Sequence, residues 1–257
     1  MRLGLICDVH ANLAALEVAL EALDRAGLDR IVCGGDLVGY GPQPNECVSL
    51  LAERGIDSVA GNHDLVALGQ DGLERCGPVA AAILSWTREE IDGDTRRHLA
   101  GLPRRLEVGP LVVAHGSLDD PWRYLRNPRE AAAELAALPS QWSTLVVGHT
   151  HHPLVVGQQA GRVRRRAVAM GAGDRWLINP GAVGQSRERR PLVRLAVLDL
   201  DRARMTRLAL RYDHHATRAA LQAAGLPPGA CHVAPGRWRG RIGRLLEAVR
   251  RGESARA

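Results

Sequence analysis

The chain has 257 residues, 46% of them hydrophobic, which is enough for one large α/β domain or two small ones with a sizeable core. Its five cysteines are odd in number, scattered and never spaced C-x-x-C, which excludes a disulfide framework and a cysteine-type zinc site. The net charge is +6 and all 34 basic residues are Arg. The cluster Arg162, Arg164, Arg165 and Arg166 has no interleaved stacking aromatics, so it reads as a solvated face rather than a nucleic-acid surface.

Aromatic residues are scarce, with no Phe, five Trp and three Tyr, so the core must be built from Leu, Val, Ala and Ile. The apolar run Leu3 to Cys7 suits a buried strand and meets Asp8-Val9-His10. It is too short for a signal-peptide core or a membrane span, which predicts a cytoplasmic protein. Cys7 and Cys33 lie in apolar runs and read as small core residues. Alternation past the end of the first strand places Asp8 and His10 on one side. Asn12 reads as an N-cap to a helix carrying Leu13, Leu16, Leu20 and Leu23, closed by Gly27. Ile31 to Cys33 is a second strand, ending at Gly34-Gly35-Asp36. A strand–helix–strand unit puts both acidic strand ends at one edge of a parallel sheet, where ligand sites gather.

After a Gly/Pro loop from Leu37 to Pro44 come a helix over Asn45 to Arg54 and a third strand over Ile56 to Ala60. That strand leads into a loop, Gly61-Asn62-His63-Asp64. Helices are expected over Pro78 to Ile91 and Asp94 to Gly101, with Trp86 a packing residue. A hairpin over Arg104 to Ala114 ends at His115-Gly116. A loop with Trp122 and Tyr124 precedes a helix over Pro128 to Leu138. The strand Thr144 to Val147 ends at Gly148-His149-Thr150-His151-His152. From Arg162 the pattern turns β-rich, with strands at Val163–Met170, Trp176–Ile178, Leu192–Leu198 and Met205–Leu210. An Asn179-Pro180-Gly181 loop, continuing to Gly184-Gln185, lies between two of them. Asp213 to Ala257 reads as two amphipathic helices split by Pro227-Pro228-Gly229.

The groups collected at strand ends are Asp8, His10, Asp36, Asn62, His115, His149 and His151. Oxygen and nitrogen donors without sulfur suit Mn, Fe, Zn, Ni or Co. Seven ligands exceed the need of one tetrahedral ion and match two ions about 3.5–4 Å apart sharing a carboxylate. His63 and Asp64 remain beside the site to handle protons. His98, His214, His215 and His232 read as surface residues, and His152 as a supporting or exposed one. Arg187 reads either as a solvated side chain or as a phosphate contact.

Asp8-x-His10, Gly35-Asp36, Gly61-Asn62-His63-Asp64, His115-Gly116 and Gly148-His149-x-His151 together resemble the calcineurin-like metallophosphoesterase superfamily, block by block and in order, from Asp8 to His151. The Asn179-Pro180-Gly181 loop resembles its compact bacterial and archaeal members. Gly39-Tyr40-Gly41-Pro42 with His115-Gly116-Ser117 resembles a subgroup that includes phosphodiesterases and dinucleoside-polyphosphate hydrolases. The resemblance implies an α/β fold, a four-layer α/β/β/α sandwich of two mixed β-sheets. Here residues 1–212 would form that domain and 213–257 a helical extension packed on it. It implies one ion on Asp8, His10, Asp36 and His151, and a second on Asp36, Asn62, His115 and His149. It makes His63 the proton donor to the leaving group, with Asp64 as its partner.

The reading is a phosphoesterase with two divalent ions, manganese first, in which a hydroxide bridging the ions attacks the phosphorus of a small diester or anhydride. Tyr40, Trp122 and Tyr124 are expected on loops beside the metals, where they stack a base or wall a pocket, and Asp119 and Asp120 repel a long polyanion. Two alternatives stand beside it: a scaffold of the same fold, as in members that have lost the catalytic His, and a nuclease on long DNA or RNA.

Overall fold

The computed structural model describes residues 1–235; the second expected C-terminal helix lies outside the described residues. Twelve strands form two mixed six-stranded sheets. In the first, β1 (Arg2–Ile6) runs parallel to β2 (Arg30–Cys33), and β2 runs parallel to β3 (Asp57–Ser58). On the other side β1 pairs antiparallel with β11 (Val193–Asp199), followed by β12 (Arg204–Leu210) and β9 (Ala167–Ala169). In the second sheet β5 (Leu111–Ala114), β6 (Thr144–Val146) and β10 (Trp176–Asn179) are parallel. β4 (Arg105–Val108), β7 (Leu154–Gly157) and β8 (Gly161–Arg162) complete it antiparallel.

The alternation of side chains along each strand makes the layers. Leu3 and Leu5 of β1 face the second sheet and meet Leu111 and Val113 of β5, Val146 of β6 and Ile178 of β10. Ile6 faces the other way, onto α1 (Leu13–Asp24) and α2 (Pro44–Glu53) through Leu16, Ala19, Leu20, Cys47 and Leu51. Val112, Ala114 and Leu145 turn outward onto α6 (Pro128–Ala137) through Ala131 and Leu135. The result is the expected α/β/β/α sandwich. Each Leu, Ile or Val buried in this way contributes roughly 1.5–3 kcal/mol.

Two expectations need correction, and one strand was not expected. Of the expected strand Val163–Met170 only β9 forms, in the first sheet; β8 just before it belongs to the second sheet, and the exposed Arg164, Arg165 and Arg166 cross between them. β7 has no counterpart in the sequence reading. It is four residues long and buried on both faces, so it carries no alternation to detect. Gly61-Asn62-His63-Asp64 is not a loop: Asn62 opens the short helix α3 (Asn62–Ala67).

Helices α4 (Pro78–Glu90) and α5 (Gly93–Ala100) match the sequence reading, and α7 (His214–Ala223) is the first C-terminal helix. Trp86 is half-buried in a cluster that also holds Ala80, Ile83, Tyr40, Leu221, Leu226 and Cys231. Asn12 caps α1 by accepting from Ala15 N at 3.4 Å, and its amide also donates to the Gly184 carbonyl at 2.7 Å. The Thr217 hydroxyl of α7 donates to the Asn12 side chain at 2.9 Å, tying that helix to the same corner. Among the described residues no helix is long and apolar enough to cross a membrane.

Candidate metal centre

The parallel strands of both sheets end at one edge, and the chain links beyond them are stitched together there. Asp8 N donates to Gly35 O and His10 N to Asp36 O, each at 2.9 Å, and Gly148 N donates to His115 O at 2.7 Å. His149 N donates to Asp8 Oδ1 at 2.9 Å, which joins the two sheets. Strand alternation is not what aligns these ligands. The strands stop short, and Asp8, His10, Asp36, His149 and His151 hold left-handed φ values of 55°, 47°, 55°, 64° and 60°. Asp tolerates this conformation and His is enriched in it, at a cost of order 1–3 kcal/mol per residue that the surrounding hydrogen bonds hold in place.

Two buried groups of ligand atoms result, each with its atoms within 4.8 Å of one another: Asp8, His10, Asp36 and His151, and then Asp36, His115 and His149. The Asn62 Oδ1 lies 3.0 Å from His115 Nε2, at the second group. Asp36 belongs to both: its Oδ2 is 3.6 Å from His10 Nε2 and 3.2 Å from His115 Nε2. All seven predicted ligands therefore converge.

The hydrogen bonds around the imidazoles decide which nitrogen each presents. His10 Nδ1 lies 3.1 Å from the Val38 carbonyl, His151 Nδ1 2.9 Å from the Gln185 carbonyl, and His115 Nδ1 2.8 Å from the Gly34 carbonyl. A carbonyl only accepts, so each Nδ1 carries a proton, and the neutral rings of His10 and His151 turn an Nε2 lone pair inward. His149 is reversed: its Nε2 donates to the Trp122 carbonyl at 3.1 Å, leaving Nδ1 for the site.

The consequence is a concentration of lone pairs with no proton between them. His10 Nε2 and His151 Nε2 face each other at 3.0 Å. Asp8 Oδ2 and Asp36 Oδ2 are buried without a hydrogen-bond partner, whereas their Oδ1 atoms accept from His149 N and His63 N at 2.9 and 2.8 Å. Buried acceptors opposed in this way are unfavourable unless a cation lies among them. The donor set fits divalent ions of borderline hardness.

The charges say the same. Burial pushes the imidazoles of His10 and His151 well below the ordinary histidine range and that of His149 down to about 3, so these rings stay neutral as ligands. Burial pushes Asp8 up to about 7. It acts against the charge of Asp36 too, but there the positive charge of His115 and His63 outweighs it and holds the carboxyl well below the carboxylate range. Burial also works against a charge on His115, yet Asp36 outweighs it and lifts the ring to about 9.

His63 sits against this centre, its ring 4.8 Å from those of His10 and Tyr40. Its Nδ1 is buried without a hydrogen-bond partner and faces Gly39, where φ is +87° and any Cβ would press on that nitrogen. Burial pushes His63 down to about 4. The expected support from Asp64 is not formed. Asp64 Oδ1 accepts from Leu37 N and Val38 N at 2.8 and 3.1 Å, and Oδ2 accepts from Gly61 N at 2.8 Å. Asp64 thus pins the Asp36 loop to the start of α3, and does so through backbone rather than through the imidazole.

The aromatic residues reach the expected edge but already have partners. Tyr40 is 7% exposed and lies edge-on to His10 at 4.7 Å. Tyr124 lies 4.0 Å from the His149 ring, with Arg126 over it at 4.0 Å. Arg75 covers Trp122 at 4.4 Å, and Trp122 Nε1 donates to Asp71 at 2.6 Å. A cavity of about 270 Å³ opens here, lined by His115, Ser117, Arg75, Asp119, Asp120 and Trp122 among others. The remaining histidines stand apart: His152 and His215 are exposed, and His98, His214 and His232 are half-buried. Sequence reading missed the braces, namely the Gln185 and Trp122 carbonyls and the amide of Asn179, which donates to Gly148 O at 2.6 Å. Backbone acceptors leave no signal in a sequence, though the Asn179-Pro180-Gly181 turn did mark the third.

A sandwich of two mixed sheets with an oxygen–nitrogen metal centre at the strand ends defines the class. The family model described as the calcineurin-like phosphoesterase superfamily domain matches residues 1–203. The chain belongs to that superfamily and is a phosphoester hydrolase. It is 31% identical over 193 residues to the uncharacterised protein MJ0912 of Methanocaldococcus jannaschii, a match covering 72% of this chain and 77% of that one. The crystal structure of a metallophosphoesterase from Sphaerobacter thermophilus is similar, with a TM-score of 0.78, 36% identity, and coverage of 90% of this chain and 96% of that one. The hypothetical protein PH1004 from Pyrococcus horikoshii shares the fold, with a TM-score of 0.75, 19% identity, and the same coverage of 90% and 96%.

Proposed function

We propose that the protein hydrolyses a small phosphodiester or phosphoanhydride with two divalent ions, manganese first, and that dinucleoside polyphosphates head the candidate substrates. Asp8, His10, Asp36 and His151 would hold one ion. Asp36, Asn62, His115 and His149 would hold the second, with Asp36 shared. The observation that carries this reading is the pair of facing imidazole lone pairs, His10 Nε2 and His151 Nε2 at 3.0 Å, beside the unpartnered oxygens of Asp8 and Asp36.

When bound, the ions supply a water of lowered pKa and charge stabilisation on the phosphoryl oxygens. The chain's residues do the rest. The Val38, Gly34 and Gln185 carbonyls keep three rings in the Nδ1–H tautomer, and Trp122 keeps His149 in the other. His63 is the proton donor to the departing oxygen, and an anionic substrate beside it favours its charged form. Asp64 acts by positioning, since it fixes the turn from which His63 projects. Support for a small substrate comes from the 270 Å³ cavity bordering His115, with Asp119 and Asp120 on its wall. We also assign residues 1–212 as the catalytic domain, 213–257 as a C-terminal extension of which residues 236–257 lie outside the described residues, and a cytoplasmic location.

The test compares catalytic efficiency of the manganese-loaded protein on diadenosine tetraphosphate, bis-nitrophenyl phosphate, a phosphopeptide and single-stranded DNA. The expected result is preference for one of the first two. Preference for the phosphopeptide or the DNA overturns the substrate assignment.

A further inference from the structure

We propose that Gln185 is a positioning residue for the metal centre, through which the chain from His214 to Val233 sets the affinity of the ion assigned to Asp8, His10, Asp36 and His151. The proposal rests on the two-ion reading of the site. The segment concerned lies beyond residues 1–203, where the family model matches.

The segment turns back on the domain for local reasons. Gly225 follows α7 in the left-handed conformation, at φ +70°, and Pro227 and Pro228 have no N–H with which to continue a helix. Leu226 N donates to Leu221 O at 2.8 Å and Ala230 N to Pro227 O at 3.0 Å, which brings the chain against the loop after β10. There Ser186 N donates to Cys231 O at 3.0 Å and Val233 N to Ser186 O at 2.9 Å, a single parallel bridge. His232 Nε2 donates to the Glu188 carbonyl at 3.0 Å. The same loop lies on the strand end that carries Asp8 and His10, since Val183 N donates to Cys7 O and Gly184 N to Asp8 O, each at 2.9 Å.

Three links carry the segment to one ligand group. The most direct is Gln185, whose side chain is buried. Its Nε2 donates to the Ala230 carbonyl at 3.2 Å, its Oε1 accepts from Arg187 Nε at 2.9 Å, and its own carbonyl accepts from His151 Nδ1 at 2.9 Å. The residue before it is Gly184, where a Cβ would drive into the Val9 carbonyl. Glycine leaves the backbone free to rotate, so the amide of Gln185 is the tether that fixes where the carbonyl points. The second link is Asn12, which accepts from the Thr217 hydroxyl of α7 at 2.9 Å and donates to the Gly184 carbonyl at 2.7 Å. The third is apolar: Leu221, Leu226, Ala230 and Cys231 share a cluster with Tyr40, whose ring lies edge-on to His10 at 4.7 Å. His115 and His149 are braced elsewhere, by the Gly34 and Trp122 carbonyls. Loosening the segment therefore reaches one ion and spares the other.

Manganese titrated calorimetrically into the metal-free full-length protein tests this, with metal content and the melting temperature of the metal-free protein measured in parallel. Gln185→Met keeps the length of the side chain and the backbone carbonyl but removes the amide. It should weaken one ion roughly 10- to 100-fold, the usual cost of disturbing the outer partner of a metal-binding histidine, and leave the other unchanged. Thr217→Val removes only the hydroxyl of α7 and should produce a smaller loss of the same ion. Wild-type affinity for both ions in Gln185→Met overturns the proposal. So does equal weakening of both ions with a lowered melting temperature, because Gln185 would then serve only the stability of the fold. Should Gln185→Met not fold, Thr217→Val decides, and unchanged affinity for both ions overturns the proposal. Wild type that binds two ions but prefers a phosphopeptide or DNA refutes the substrate assignment and leaves the role of Gln185 standing. Wild type that binds fewer than two ions refutes the two-ion reading and this proposal with it.

Discussion

The half of the metal centre built on Asp8, His10 and His151 is closed in, whereas the half built on His115 and His149 borders the cavity. Asp8 and His10 are fully buried, and the rings of Tyr40 and His63 cover His10 at 4.7 and 4.8 Å. Its imidazoles are braced by Val38 and Gln185, both in stitched backbone. In the other half, His149 is braced by the carbonyl of Trp122, a wall residue of the cavity. The comparison teaches that, on the proposed function, the closed half would retain its ion and the open half would meet substrate. In the open half, a change at the cavity wall is also a change at a ligand.

Asp36 is where the halves meet, and breaking it should abolish the contrast. In Asp36→Asn both ions should bind more weakly and turnover should fall on the order of 10³-fold or more, the worth of metal charge stabilisation. Elemental analysis with anomalous scattering checks it. One ion retained at full affinity, with Asp36 remote from it, would sink the two-ion proposal.

His63 lies on the closed side but is not a ligand. His63→Ala should keep both ions and lose roughly 10²–10⁴ in turnover. The loss should shrink on nitrophenyl esters, whose leaving group needs no proton. Equal losses on good and poor leaving groups would contradict the proton-donor role.

The contrast is sharpened by removing one ligand from each half. His149→Ala should weaken one ion by at least the roughly 10- to 100-fold that loss of an outer hydrogen-bond partner alone costs, with binding recovered at higher manganese. His151→Ala should lose its ion without such recovery. Manganese titrations followed calorimetrically separate the two, and equal behaviour would remove the distinction between closed and open halves.

Asp64 gives the smallest effect on chemistry and a clear one on stability. Asp64→Ala strips the acceptor from three backbone N–H groups, about 1–3 kcal/mol for each left unsatisfied. At about 2–4 °C per kcal/mol for a domain of this size, the melting temperature should fall by on the order of 10 °C. Asp64→Asn, which keeps one oxygen, should fall less. If Asp64→Asn reproduced the leaving-group dependence of His63→Ala, Asp64 would be the acid's partner after all.

Much of the site was legible because its ligands sit where strands end. β1, β2, β5 and β6 are short apolar runs, and Asp8, Asp36, His115 and His149 follow them within a few residues. β7 and the break between β8 and β9 were not legible, because a four-residue strand buried on both faces shows no period and a crossing between sheets follows from pairing alone. The role of Asp64 was misread for a related reason: adjacency to His63 in the chain suggested a side-chain pair. The helical start at Asn62 instead turns the carboxylate back onto the Gly61 and Leu37 N–H groups.

By itself the sequence determined most of the element order and which seven oxygen and nitrogen side chains follow the strand ends, since these depend on local hydrophobic period and residue type. Tertiary structure alone decided which imidazole nitrogen each histidine turns inward, and that the Trp122 and Gln185 carbonyls hold His149 and His151. Those outcomes rest on left-handed turns and on backbone carbonyls that meet the rings from 27 to 81 positions away, and no local pattern in the chain encodes that meeting.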